Sequence, residues 1–242
     1  MNYDLFESGG TQAEAVDHKH GTTQSAKSAR DPRINQLLDK EPALWRGRQH
    51  TNSTVASGEP SGWQALDRLL PGEGWPRQGL VEIINARPGI GELQLLLPLL
   101  RRLGQKDKPI LWITPPQQLY TPALAQAGIA LESNILIRPQ DRCQQALWSA
   151  EKALQANECA LVLIWQNWFS ARVMRRLQLA AQEGNTPGIL FHKRATGNSP
   201  ARLQLQLEAD PLQTGQSRDI GVRVLKARGS HHCGQERLRL HA

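Results

Sequence analysis

Cysteine is scarce in this sequence, three residues in 242, and Cys143, Cys159 and Cys233 stand far apart. An odd number at such spacing describes no disulfide framework and suits a reducing cytosol, so free thiols are expected. Long apolar runs are missing as well. No stretch approaches the roughly 18 to 20 apolar residues that cross a bilayer. The polar start, 1–23, lacks the apolar centre of a secretory signal. A cytoplasmic protein with no membrane partner is expected. Metal ligands are also few. Ser230-His231-His232-Cys233 is a tight cluster without a fourth ligand, and no bound metal is expected from it.

What is present suits a globular protein with a polar segment, with 39% hydrophobic and 21% charged residues. The net charge of +7 is unevenly placed. The last 52 residues hold nine Lys/Arg against four Asp/Glu and supply most of the excess. Such a bias fits either a solvated basic face or contact with a polyanion or an acidic protein.

Residues 1–30 are rich in Gly, Ser, Thr, Gln and His without apolar periodicity, and disorder is expected there. Over 31–60, Ile34, Leu37 and Leu38 repeat at helical spacing and Leu44 and Trp45 follow Pro42. A short amphipathic helix and a linker are expected, the helix either docked on its own domain or offered to a partner through Trp45 and Arg46. The compact domain is expected over 61–242.

Within it, Ala65, Leu66, Leu69 and Leu70 form a helical stripe, and Leu80–Ile84 reads as a core strand. Leu93 to Leu103 reads as a helix buried on most of its circumference, interrupted by Pro98. Strands at Ile110–Ile113, Ile135–Ile137, Ala160–Trp165 and Gly188–His192 then alternate with helices at Pro122–Ala127, Arg142–Ala156 and Ala171–Glu183. That rhythm means an α/β fold with a mostly parallel sheet covered on both faces. From about 193 the period becomes two: Leu203, Leu205 and Leu207 alternate with polar residues, then come strands around Ile220–Ala227 and Arg237–Leu240. These should be half-exposed antiparallel strands. Arg218, Arg223, Lys226, Arg228, Arg237 and Arg239 collect there as candidate nucleic-acid contacts.

A strand, a glycine-bearing turn and a helix succeed one another from Leu80 through Asn85-Ala86-Arg87-Pro88-Gly89-Ile90-Gly91, the context of a phosphate-binding loop. The chemistry of one is missing. Glu92 stands where a Lys would neutralise phosphate charge, and Leu93 where a Ser or Thr would hold Mg²⁺. Gly89 and Gly91 leave at most a vestigial anion cradle, and Glu92 is expected to occupy it, satisfying free N–H groups at the positive end of the helix.

Two stretches resemble the start of the RecA ATPase core. They are Ser61-Gly62-Trp63-Gln64-Ala65-Leu66-Asp67 and the glycine cluster from Gly72 to Gly79 running into Leu80-Val81-Glu82-Ile83. The resemblance implies a RecA-like P-loop NTPase fold with a degenerate nucleotide site. Its catalytic Glu falls on Pro116 and its metal-binding Asp on Trp165, in addition to Glu92 and Leu93. With all of these lost, neither enzyme activity nor a cofactor is expected.

The chain further resembles the ImuA family, on Ala43-Leu44-Trp45-Arg46-Gly47, Arg87-Pro88-Gly89-Ile90-Gly91-Glu92-Leu93, Leu95-Leu96-Leu97-Pro98-Leu99-Leu100, Tyr120-Thr121-Pro122-Ala123-Leu124 and Arg175-Arg176-Leu177-Gln178-Leu179. More distantly it resembles the SulA cell-division inhibitors, which share the centre from Leu95 to Phe191 but lack the Trp45 segment and the glycine cluster. The ImuA resemblance implies an adaptor in SOS-induced, error-prone translesion synthesis. Its partners would be an ImuB-like inactive polymerase relative, with RecA and a DnaE-type polymerase as further ones, and a weak DNA contact. The candidate contacts are Trp45, Arg46, Trp168, Phe169 and the basic helix face of Arg172, Arg175 and Arg176. Two alternatives stand beside it: a SulA-like inhibitor of the division GTPase, and a DNA-binding protein without catalysis.

Overall fold

The structure is a computed structural model. It describes residues 57–139, 144–166, 169–194, 198–209, 218–229 and 234–240, without the side chain of Arg218. The expected disordered segment, the amphipathic helix with Trp45 and Arg46, Trp168, and the 230–233 cluster lie outside the described residues.

Helix α1 (Gln64–Leu69) is followed by β1 (Gly79–Asn85), α2 (Glu92–Leu103), β2 (Ile110–Ile113), α3 (Thr121–Gln126), β3 (Asn134–Ile137), α4 (Gln144–Gln155), β4 (Leu161–Trp165), α5 (Ala171–Glu183), β5 (Pro187–His192), β6 (Leu203–Ala209), β7 (Arg218–Ala227) and β8 (Gln235–Leu240). All eight strands form one sheet in the order β3-β2-β4-β5-β1-β6-β7-β8. The six from β3 to β6 run parallel, and only β7 and β8 are antiparallel to their neighbours.

This corrects the expectation for β6. It pairs parallel with β1, Val81 opposite Leu203 and Asn85 opposite Leu207, and its first five residues are nearly all buried. Its polar alternates do not face water throughout: Gln204 is buried, because its amide reaches the Glu82 carboxylate on β1 at 3.1 Å. Period-two alternation marks a strand with two unlike faces, and here the second face also finds polar partners inside.

The sheet separates two apolar layers. On one side Val81, Ile83, Trp112, Leu163, Ile189, Leu203, Leu205, Val222 and Leu238 pack with Leu66 of α1 and Leu95, Leu96, Leu99, Leu100 and Leu103 of α2. On the other, Leu80, Leu111, Ile113, Val162, Ile164 and Leu190 meet Ala146, Ala150 and Leu154 of α4 and Met174, Leu177, Ala180 and Ala181 of α5. Short strands buried on both faces are what parallel sheets require.

Helix α2 is one continuous element through Pro98, with Leu93, Leu97 and Pro98 half-buried and Arg101 exposed. Pro98 is accommodated by Gly62: a Cβ at Gly62 would stand 2.4 Å from the proline Cβ, and Gly62 takes φ +85°. Ahead of α1, the backbone of Glu59 bridges Trp75. The Glu59 carboxylate meets Arg77 at 2.7 Å, Arg102 at 3.5 Å and Lys106 at 3.7 Å.

Candidate functional site

The strands β1 to β5 run in one direction, so their carboxyl ends open on one side of the sheet, where ligand crevices of α/β proteins form. A cleft of about 830 Å³ lies there. Asn85, Pro88 and Glu92 supply its β1 side, Thr114, Pro115 and Pro116 its β2 side, Arg138 and Pro139 its β3 side. Trp165 and Gln166 end β4, and Phe191, His192 and Lys193 end β5.

The loop from β1 to α2 borders the cleft and closes on a carboxylate of its own chain. Gly91 precedes α2 with φ +114°, a conformation that suits only glycine here, since a Cβ would also strike Leu240 at 2.5 Å. The turn brings the Glu92 carboxylate back over the loop, where Oε1 accepts the Gly89 N–H at 2.7 Å. Glu92 is buried, and its other oxygen has no hydrogen-bond partner among the described residues. The Gly89 N–H is thus answered by the protein's own carboxylate. Leu93 is half-buried against the α2 side of the core and presents no oxygen to a metal. Among the described residues no cluster of three His, Cys, Asp or Glu could hold a metal ion.

The other substituted positions are filled apolar. Trp165 is half-buried and stacks on Phe191, centroids 4.5 Å apart and planes within 8°, while Trp112 lies parallel on it at 5.8 Å. Pro116 is exposed on the rim. Thr114, with φ +51°, is a β-branched residue in the left-handed region, held there because Oγ1 donates to the Trp165 carbonyl at 2.6 Å and its N–H to Ile137 at 3.0 Å. It ties the ends of β2, β3 and β4 together.

Beneath the cleft lies a buried polar group that the sequence reading passed over. Glu82, in the middle of β1, is fully buried and takes His192 Nε2 at 3.0 Å, Gln204 Nε2 at 3.1 Å and the Ser199 hydroxyl. His192 Nδ1 has no partner among the described residues, and Phe169 meets the ring edge-on at 5.9 Å. A glutamate among Val81, Ile83 and Ile84 was one signal, and a histidine ending a strand beside Lys193 was the second.

The remaining candidate residues do not converge. Phe169 is buried in the core, so its ring is not offered to a partner. Arg172, Arg175 and Arg176 are exposed on α5, and Arg176 is paired with Glu151 of α4, whose hydrogen bond raises the guanidinium pKa further. At the C-terminal strands, Arg223 donates to Gln235 at 3.0 Å, Lys226 to the Ser199 carbonyl and Arg228 to the Pro200 carbonyl at 3.4 Å. Arg239 lies 3.6 Å from Asp219, and Arg237 also has a partner.

A family model, "Cell division inhibitor SulA", matches residues 80–188, which carry β1 to the start of β5 and most of the cleft. A SulA of Yersinia enterocolitica is 36% identical over 114 residues, covering 47% of this chain and 67% of the relative. The chain belongs to the SulA family. A second SulA, from Pectobacterium carotovorum, is 33% identical over 110 residues, covering 45% of this chain and 65% of that protein. The chain thus spans 65% and 67% of the length of these two relatives. A crystal structure of SulA from Pseudomonas aeruginosa aligns at 26% identity over 47% of this chain and 98% of that one, with a TM-score of 0.40.

Membership in the SulA family overturns the ImuA resemblance and the partners drawn from it: the ImuB-like protein, RecA, the DnaE-type polymerase and the DNA contact, with translesion synthesis itself. The features that favoured ImuA have local explanations or lie elsewhere. Trp45 falls outside the described residues and outside the matched segment. The glycine cluster serves packing: Gly72 takes φ +75°, and a Cβ at Gly74 would stand 2.4 Å from the Glu59 carbonyl. Among the basic C-terminal residues, Arg223, Lys226, Arg228 and Arg239 have partners within the protein. Among the described residues no helix is long and apolar enough to cross a membrane.

Proposed function

We propose that the chain is a cell-division inhibitor, acting by binding the division GTPase FtsZ and not by catalysis. The observation that carries this is the match of 80–188 to the SulA inhibitors, because those residues build the cleft and the helices around it. A RecA-like origin for the domain is supported by the loop between β1 and α2 at the carboxyl edge of a parallel sheet. The loss of hydrolysis is supported by Glu92 on its own loop and by Leu93, Pro116 and Trp165 at the other machinery positions.

An inhibitor of this kind serves the SOS response, halting division while DNA damage lasts, and works in the cytoplasm where its target assembles. The exposed cations Arg172 and Arg175 on α5 are the partner contacts this reading retains. Expression without DNA damage is the direct test in cells. Filamentation with normal chromosome segregation is expected; cells that keep dividing at normal length while the protein accumulates contradict the proposal.

A further inference from the structure

At the opposite, amino-terminal edge of the sheet lies a second cavity of about 280 Å³, which the cleft and the inhibitor reading leave unused. Ligand pockets run from roughly 300 Å³ upward, so this one suits a small molecule. Its walls are apolar. Val81 and Ile189 rise from the starts of β1 and β5, Leu161 from β4, Leu99 and Leu103 hang from α2, and Trp75 closes one side.

Its charged groups are mostly cations, and Asn157 and Asn185 add amide groups. Arg77, Lys106 and Lys108 stand at the pocket against one carboxylate, Glu59. Glu59 is shared among Arg77, Lys106 and Arg102, while Lys108 reaches only the carbonyl and side-chain oxygens of Asn157. The local charge is therefore positive. Trp75, only 2% exposed, belongs to the apolar wall of the cavity. Cys159 also lines the space, and burial pushes its thiol pKa up, with Glu158 adding to the effect. It stays a neutral, apolar wall.

We infer that this cavity binds a small apolar carboxylate, the hydrocarbon part against Leu99, Leu103, Leu161 and Ile189 and the carboxylate at the mouth beside the exposed Lys106 and Lys108. Burial of the chain supplies the affinity, and the cations select the charged head group over a neutral one. Exposed ion pairs of this kind are worth up to about a fivefold difference.

The test uses the intact protein with octanoate and octan-1-ol as probes, followed through the indole N–H resonance of Trp75. Octanoate is expected to shift that resonance saturably and octan-1-ol to bind about fivefold more weakly. Lys108→Gln should remove that preference while leaving octan-1-ol unchanged. No saturable shift with octanoate overturns the inference, as does equal binding of the two probes to the unmodified protein. The measurement is independent of division inhibition, so its failure would leave the inhibitor reading intact.

Discussion

Glu82 is the residue on which the interior depends most. A carboxylate with no exposure needs every lone pair engaged, and His192, Gln204 and Ser199 supply the donors. Glu82→Leu leaves three buried groups without their partner, and a loss of about 3–5 kcal/mol is expected in urea unfolding. Adding His192→Leu should recover part of that loss, because the orphaned imidazole goes with it. Equal, additive losses would mean that the pair is not coupled. Cys159 makes a second case. Burial is the larger cause of its raised pKa, so the folded protein holds the thiol proton more tightly than the unfolded chain. That contribution is complete below the ordinary thiol pKa of 9.0 and is lost as pH rises through the folded value. Alkylation of Cys159 at pH 8 should accordingly be slow in the native protein and fast in denaturant.

The elements were legible where burial alone decides them. Strands β2 and β4 and helix α5 stand within a residue of where periodicity puts them, since four or five apolar residues in a row, or a stripe at 3.6 spacing, have few other uses. Strand β6 was not legible in direction. Its alternation says that its faces differ, and nothing local says whether its neighbour runs with it or against it. The loop before α2 was readable in chemistry, because Glu92 in a glycine turn has obvious donors nearby. The buried group around Glu82 was not, because its partners lie 110 to 122 residues from Glu82 along the chain. At this scale Gly184 offers a sharp test. It ends α5 against the end of α4, where a Cβ would come within 2.1 Å of the Leu154 carbonyl. Gly184→Ala should cost about 1–3 kcal/mol by forcing the two helices apart. An unchanged melting temperature would show that α4 and α5 do not meet there as described.

The whole molecule is a mostly parallel α/β sheet with an open cleft at its carboxyl edge, lined by groups that already have partners in the protein. Glu92 accepts the Gly89 N–H, Trp165 stacks on Phe191, and prolines line the rim. On the proposed reading, the domain acts through its surfaces on the division GTPase. The most direct measurement is sedimentation of FtsZ polymers formed with GTP, with increasing amounts of the purified full chain and no other nucleotide. The account predicts that polymer mass falls with stoichiometric addition of the chain and that the two proteins co-elute as a complex. Undiminished polymer at excess chain, with no complex formed, would contradict it.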